Sequence, residues 1–277
     1  MRLAAFNVLH GRSLSDGQVS TPRLVEACAS LGADILCLQE IDRGQPRSGE
    51  VDQTAEVAAG MGAPAWRFEP ALVGEPGGTW RAAADEDSAA VVDRAGDSPQ
   101  PAEPAYGIGL VSRLPVRAWH VVRLRAAKVR APVAVPGGKG RFILLPDEPR
   151  VALAGEVDTA TGPLVVATTH LSFVPGYNLF QLRQVTRALA ALGPPCVLLG
   201  DLNIPGPFPR WASGWRSLAQ VKTYPADAPR LQVDHALGHG YLPEVEGAHA
   251  QRLPLSDHQA LVVNLRLPVG THPGQTA

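Results

Sequence analysis

Amphipathic segments and wholly apolar runs alternate in the outer thirds of the chain. The segment TPRLVEACASLGAD starts at Thr21, a candidate N-cap, has apolar residues at 24, 25, 28 and 31, and reaches Gly32 after the last of them. The segment NLFQLRQVTRALAALG, residues 178–193, repeats this periodicity and also ends at a glycine. Both patterns predict helices.

A short apolar run follows each predicted helix, ILCL over 35–38 and CVLL over 196–199. Runs without polar alternation are typical of strands that are covered on both faces. Strands of this kind between amphipathic helices favour an α/β fold or a layered sandwich.

The middle of the chain has a different pattern. Residues 69–105 are rich in Ala, Gly, Pro, Asp and Glu, so we expect a mobile, acidic surface insertion there. Basic residues accumulate from 113 to 141, and no acidic residue occurs between 107 and 145. This stretch forms either solvated strand faces or a cationic wall beside a phosphate site. Because opposite charges attract, we expect the insertion to lie near the basic stretch and to gate substrate entry.

No internal repeat or linker divides the chain, so we expect one domain over residues 1–267 and a loose C-terminal tail over 268–277. The net charge of −1 among 277 residues lowers the expectation of a non-specific nucleic-acid binder. The three cysteines lie in apolar elements and indicate buried thiols in a reducing compartment. Without a signal peptide or a transmembrane segment in the sequence, we expect a cytoplasmic protein, and no protein partner is implied.

Polar residues stand at the ends of six apolar runs. These residues are Asn7, Glu40, His170, Asp201 with Asn203, Asp234, and the adjacent pair Asp257 and His258. Each of them taken singly is more often a turn residue or a structural histidine. As a set, carboxylates and an amide suit Mg²⁺ or Mn²⁺ rather than zinc, and the histidines and a further aspartate suit proton transfer. We therefore expect the polar residues at these six ends to lie together at one edge of the sheets.

Seven motifs in order, FNVLHG, LCLQEID, YGIGLVSRLP, TTHLS, GDLNIPG, VDHALG and LSDHQALVV, resemble the deoxyribonuclease I-like endonuclease/exonuclease/phosphatase superfamily. The resemblance covers residues 2 to about 267, and the segment from 42 to 58 resembles its bacterial metal-dependent hydrolase branch. It implies an α/β (α+β) four-layer sandwich, with two mixed β-sheets packed face to face and flanked by helices.

The resemblance also implies a role for each polar residue. Glu40 would be the principal metal ligand, assisted by Asn7 and Asp257. Asp201 would orient or deprotonate the attacking water, and Asn203 would hold the phosphate. His258, paired with Asp234, would bind or stabilise the phosphoryl group. His170 would stabilise charge or protonate the leaving oxygen, and Arg113 would contact the substrate. Leu9 occupies a position where related nucleases carry an acidic residue, so the resemblance does not decide whether one or two metal ions bind. We expect His235 to pack in the interior.

These roles describe a metal-dependent phosphoesterase that hydrolyses phosphodiester or phosphomonoester bonds by in-line attack of an activated water. The substrate would be a small-molecule, lipid-linked or nucleic-acid phosphoester. A Mg²⁺- or Mn²⁺-dependent nuclease of DNA or RNA is the alternative. A catalytically inactive protein that binds a phosphate ligand is the third reading, disfavoured because every expected catalytic position is filled.

Overall fold

The computed structural model describes residues 1–88, 103–134, 142–193 and 195–266. The predicted C-terminal tail and residues 89–102 of the predicted mobile insertion lie outside these ranges, as do Lys139 and Arg141 of the basic stretch. Within the described ranges, no helix is long and apolar enough to cross a membrane.

The described residues form fifteen strands and four α-helices. In chain order these are β1 (Arg2–Asn7), α1 (Thr21–Ser30), β2 (Ile35–Arg43), α2 (Gln53–Met61), β3 (Ala65–Gly74), β4 (Trp80–Ala82), β5 (Ala105–Ser112), β6 (Val116–Leu124), β7 (Arg130–Ala134), β8 (Phe142–Pro146), β9 (Arg150–Thr159), β10 (Gly162–His170), α3 (Tyr177–Ala190), β11 (Cys196–Asp201), α4 (Phe208–Ser213), β12 (Arg216–Ser217), β13 (Asp234–His239), β14 (Val245–Gln251) and β15 (Ala260–Leu265). Three short 3₁₀ helices cover Leu9–Gly11, Pro46–Ser48 and Asp85–Asp87.

The strands build two mixed sheets and a separate hairpin. The first sheet has the order β14-β15-β1-β2-β5-β3-β4, the second has the order β12-β13-β11-β10-β9-β6, and β7 pairs only with β8. Leu3 and Ile35 of the first sheet pack with Leu153, Val166 and Val197 of the second. The two sheets therefore lie face to face around a shared apolar core.

Helices cover the outer face of each sheet. Leu24 of α1 and Val57 of α2 pack with Phe6 on the outside of the first sheet. Leu182 and Val185 of α3 pack on the outside of the second, as the periodicity of residues 178–193 predicts. The result is a four-layer sandwich, which confirms the predicted fold class.

The N-cap of α1 differs by one position from the prediction. Ser20, rather than Thr21, has the extended backbone of a cap, and its Oγ accepts a hydrogen bond from Arg23 N at 3.3 Å. Both residues carry a hydroxyl, so sequence alone does not separate them.

The predicted insertion begins too early, because residues 69–74 and 80–82 belong to the first sheet. Residues 65–73 of β3 pair with β5, and β4 pairs with β3. Glu69 is buried in β3, where it forms ion pairs with Arg67 at 2.9 Å and with Arg123 at 2.8 Å. Two guanidinium groups neutralise this carboxylate, so an acidic residue is tolerated in a core strand.

Arg123 also connects the acidic and basic segments. Its Nε donates to Asp85 Oδ1 at 2.9 Å, and its Nη2 donates to Ala84 O at 2.6 Å and to Ser88 Oγ at 2.9 Å. The described part of the acidic segment therefore contacts the basic stretch, as charge attraction predicts.

Candidate active site

Five strand ends and a bulge within β2 meet at one edge of the sandwich. Asn7 at the end of β1 pairs with Gln39, the neighbour of Glu40, and β2 continues to Arg43. The C-terminal residues of the parallel strands β10 and β11 share this edge. β13 and β15 are antiparallel to their neighbours and begin there. A cleft of about 400 Å³ opens at this edge, and its lining includes Glu40, His170, Asp201, Asn203, Asp257 and His258. Asn7 and Asp234 are buried and bonded to these residues. The structure thus brings together eight of the nine predicted site residues.

Glu40 and Asn203 reach the cleft through unusual backbone conformations. Glu40 has φ of 56° and occupies a β-bulge, where Gln39 and Ile41 pair with successive residues of β5. Asn203, just after β11, has φ of 51°. A bulge breaks the alternation of side chains along a strand, which frees Glu40 from the sheet faces. Positive φ in a non-glycine residue costs on the order of 1–3 kcal/mol and concentrates at functional sites.

Asn7 links two carboxylates. Its Nδ2 donates to Glu40 Oε1 at 2.9 Å and to Asp201 Oδ2 at 3.1 Å, while its Oδ1 accepts from Leu9 N at 3.2 Å. In this arrangement, Asn7 positions Glu40 and Asp201 through its nitrogen. Its carboxamide oxygen, the atom that would bind a metal ion, is engaged by the backbone.

His258 and Asp234 form a buried charge pair. His258 Nδ1 lies 2.9 Å from Asp234 Oδ2, which also accepts a hydrogen bond from the hydroxyl of Thr223. The Tyr224 ring lies over the imidazole, with 4.8 Å between the ring centroids. Burial lowers the pKa of His258, but the carboxylates of Asp234 and Asp201 outweigh it and raise the pKa to about 10. His258 is therefore an imidazolium at neutral pH.

Asp201 lies between the two histidines of the cleft. Its Oδ2 is 3.6 Å from His170 Nε2 and 3.7 Å from His258 Nε2, and its Oδ1 accepts from Asn203 N at 2.9 Å. Burial raises the pKa of Asp201 to about 7, against the opposing effect of the His258 charge. A carboxylate of this kind can exchange a proton near neutral pH.

His170 differs from His258 in its charge. Burial first, and then the positive charges of Arg150 and His258, hold the pKa of His170 well below its usual value. Its Nε2 lies 3.1 Å from Asn203 Nδ2, and its Nδ1 lies 3.3 Å from Arg150 Nη1. His170 is therefore a neutral imidazole, suited to hydrogen bonding rather than to supplying a proton.

Sequence reasoning missed Arg150, the first residue of β9. Its side chain is buried and lines the cleft beside Phe173, and its Nε has no hydrogen-bond partner among the described residues. In the sequence, it follows DEP as one basic residue among many. Thr223 and Tyr224, which contact the Asp234–His258 pair, also belong to no sequence pattern that predicts a site residue.

Glu40 and Asp257 provide the oxygen atoms that fit a hard divalent cation. Asp257 Oδ1 is buried without a hydrogen-bond partner in the described part of the chain. Burial, and next the carboxylate of Asp257, raise the pKa of Glu40. Two carboxylates that repel each other in a buried cleft are what a bound cation stabilises.

A second group of possible ligand atoms fits a cation less well. Asp201, Asp234 and His258 offer atoms within 4.8 Å of one another. Asp234 Oδ2 already accepts two hydrogen bonds, and its Oδ1, like that of Asp257, is buried without a hydrogen-bond partner in the described part of the chain. However, an imidazolium has no free lone pair for a metal ion. We interpret these three residues as a charge network.

The structure does not bring Arg113 to the cleft. β5 is antiparallel to β2, and Ser112 pairs with Ile35 at the start of β2, so Arg113 follows β5 at the edge opposite Glu40. Its Nε donates to Met61 O at 3.1 Å. His235, expected to pack, is buried, and its Nε2 lies 2.8 Å from Ile204 O.

A sequence model of the Endonuclease/Exonuclease/phosphatase family matches residues 4–258. A search of curated proteins finds no significant match.

Solved structures with the same fold cover most of the chain. An endonuclease/exonuclease/phosphatase from Beutenbergia cavernae DSM 12333 superposes with a TM-score of 0.65 at 23% identity, over 96% of this chain and 71% of that one. The mannosyl-6-phosphatase Bt3783 of Bacteroides thetaiotaomicron VPI-5482 superposes with a TM-score of 0.60 at 16% identity, over 96% of this chain and 100% of that one. Truncated TDP2 of Caenorhabditis elegans superposes with a TM-score of 0.57 at 14% identity, over 96% of this chain and 97% of that one. At these low sequence identities, the structural similarity shows a shared fold alone.

Proposed function

Because the chain belongs to the endonuclease/exonuclease/phosphatase family, we propose that it hydrolyses phosphodiester or phosphomonoester bonds with Mg²⁺ or Mn²⁺. The observation that carries this proposal is the position of Asp201 between neutral His170 and charged His258, in the cleft that Glu40 and Asp257 also line. An acceptor of a water proton, a fixed cation and a pair of metal-binding carboxylates are what in-line attack on phosphorus requires.

Glu40 and Asp257 hold the divalent cation in this proposal. When bound, the cation neutralises negative charge on the phosphoryl oxygens. Asn7 acts through its hydrogen bond to Glu40 Oε1, which fixes that carboxylate next to Asp201. The chain thus provides two carboxylate ligands and an amide that aligns one of them.

Asp201 accepts the proton of the attacking water. The Asn203 N–H holds Oδ1, and the pKa of about 7 that burial gives this carboxyl suits a base at neutral pH. His258, held by Asp234, places its positive charge beside Asp201 and stabilises the phosphoryl oxygens as negative charge develops. Arg150 adds a second cation on the other side of His170.

The leaving oxygen receives its proton from His258 rather than from His170. Of the two imidazoles that face Asp201, only His258 is protonated at neutral pH, for the reasons given above. His170 and Asn203, whose side chains lie 3.1 Å apart, bind and orient the phosphate.

A nuclease activity is the second candidate, and the charges of the basic stretch bear on it. Arg117 forms an ion pair with Asp158, and Arg123 forms ion pairs with Glu69 and Asp85. These pairs reduce the charge available to follow a phosphate backbone. We therefore favour a small-molecule or lipid-linked phosphoester over DNA or RNA. The family resemblance of the whole catalytic set weighs against an inactive phosphate-binding protein.

We also propose that the protein acts in the cytoplasm. Cys28, Cys37 and Cys196 are buried thiols, and burial raises the pKa of each. Such unreactive thiols are typical of proteins from a reducing compartment.

An activity screen tests the proposal. Purified protein is assayed with Mg²⁺, with Mn²⁺ and with EDTA, on bis(p-nitrophenyl) phosphate, p-nitrophenyl phosphate, inositol phosphates, sphingomyelin and plasmid DNA. We expect metal-dependent release of product that Asp201→Asn abolishes, while Asp227→Asn, a change of an exposed aspartate, retains it. Hydrolysis that survives in the Asp201 variant would contradict the mechanism, and DNA cleavage that collapses with added salt would favour the nuclease.

A further inference from the structure

The β7–β8 hairpin exposes an unusual amount of aliphatic surface. Ten large apolar side chains are exposed in the described part of the chain, and four of them, Val129, Ile143, Leu144 and Leu145, belong to this hairpin or directly precede it. Leu144 is 63% exposed and Val129 is 51% exposed. Within the described ranges, the hairpin pairs with neither main sheet, and these side chains face solvent. Consecutive residues of a strand point to opposite faces, so the exposed aliphatic side chains of β8 cover both faces of the hairpin, and such a concentration of exposed apolar side chains on one element indicates an interaction site.

Two basic side chains lie beside one of these aliphatic residues. Lys128 and Arg130 flank Val129 and are exposed. No acidic residue occurs in the sequence from 107 to 146. We call Lys128, Val129, Arg130, Ile143 and Leu144 the hairpin surface.

The hairpin also continues into the catalytic cleft. Pro132 of β7 and Leu145 of β8 line the cleft together with Glu40 and His170. At the base of the hairpin, Asp147 Oδ2 accepts from Ala127 N at 2.7 Å, and its Oδ1 lies 4.0 Å from Arg150 Nη2. Whatever binds the hairpin surface is therefore held next to the reacting groups.

We propose that the hairpin surface docks on an anionic lipid bilayer, and that the substrate is a phosphoester carrying an apolar, lipid-type group. The substrate part of this proposal rests on the phosphoesterase function proposed above, whereas the docking part does not. Aliphatic side chains enter the boundary between headgroups and acyl chains, and flanking Lys and Arg bind anionic headgroups. Protein interfaces instead concentrate Trp and Tyr at their centre, and none of the five residues of the hairpin surface is aromatic.

Vesicle flotation tests the docking part directly. The full-length protein is mixed with vesicles of phosphatidylcholine alone, or of phosphatidylcholine with phosphatidylglycerol, and the bound fraction is measured. We expect binding to the vesicles that contain phosphatidylglycerol. The double variant Ile143→Ser/Leu144→Ser removes two aliphatic contacts and should weaken binding at least about tenfold. Lys128→Glu should weaken it about fivefold or more.

The matched control is Tyr241→Ser, which changes a side chain that is 93% exposed. Tyr241 lies near Met1, at the end of β1 opposite Asn7, so this variant should bind vesicles as the wild type does. Ile143 and Leu144 are exposed, so their variant should fold, with an unchanged circular dichroism spectrum. Asp201→Asn should also bind normally, which separates docking from catalysis.

Hydrolysis then tests the substrate part. The Ile143→Ser/Leu144→Ser variant should lose activity on a phospholipid in vesicles while keeping its rate on bis(p-nitrophenyl) phosphate. A wild type that binds no vesicles, or a double variant that binds them equally, would overturn the proposal. A wild-type dimer that the double variant abolishes, without vesicle binding, would also overturn it and assign the hairpin surface to contact between copies of the chain. Vesicle binding without any hydrolysis would overturn the phosphoesterase function and leave docking supported.

Discussion

Replacing Asp234 by Asn removes the carboxylate that holds His258 charged. Asp234 is 1% exposed, and its Oδ2 lies 2.9 Å from His258 Nδ1. An asparagine has nearly the same shape and still accepts the hydrogen bond, so the variant changes the charge and little else. With the carboxylate gone, burial of the imidazole dominates, and the pKa of His258 should fall toward or below its ordinary value.

The structure gives the size and the pH window of the effect. Folding raises the pKa of His258 from 6.5 to about 10. The stabilisation is therefore fully present below the unfolded-state pKa and is lost as the pH rises toward the folded-state value. Each pH unit between these limits removes roughly 1.4 kcal/mol from the free energy of unfolding. Between pH 7 and pH 9, wild-type protein should lose about 2.5 kcal/mol from this group, and Asp234→Asn should lose little of it.

Urea unfolding followed by tryptophan fluorescence measures this difference. EDTA is present throughout, because a cation bound near Asp257 would alter the charge of the cleft. Asp227→Asn is the control, since Asp227 and its partner Arg252 are both exposed. Groups remote from the cleft contribute equally to all three proteins, whereas Asp201, whose pKa depends on His258 and Asp234, belongs to the same charge network. An equal loss of stability between pH 7 and pH 9 in wild type and Asp234→Asn would refute the charge pair.

Three further outcomes follow from the site and its surroundings. Asp201→Asn should lower kcat about a thousandfold in a steady-state assay, because the acceptor of the water proton is lost, with an unchanged circular dichroism spectrum. Glu40→Gln should weaken Mg²⁺ binding about tenfold or more in calorimetry. Arg123→Ala leaves buried Glu69 with Arg67 as its remaining ion-pair partner, and should destabilise the fold by about 2–3 kcal/mol in urea unfolding while leaving kcat on a soluble substrate unchanged.

The site residues were predictable where their positions follow from strand ends. Asn7, His170 and Asp201 each terminate a strand, and parallel strands bring such residues to one edge of a sheet. The apolar runs before them are readable from sequence, because a strand buried on both faces has no polar alternation. That physical regularity made most of the cleft predictable without any coordinates.

The two arginines show where this reasoning stops. Arg113 follows a strand that runs antiparallel to β2, so it lies at the edge opposite Glu40, roughly 16 Å away along the strand. Arg150 begins β9, which is antiparallel to β10, and this reversal places it beside His170. Strand direction depends on pairing between distant residues. A local accumulation of charge carries no information about it.

Glu40 shows why local preference also fails at a functional position. A glutamate disfavours positive φ, yet Glu40 adopts 56° because the residues on either side of it are fixed by pairing with β5. Asn7 then holds the carboxylate against Asp201, so the side chain is positioned before any ligand arrives. The sheet therefore stabilises a strained residue, and in the proposed function its fixed orientation lets Glu40 bind the cation at little further cost in conformational entropy.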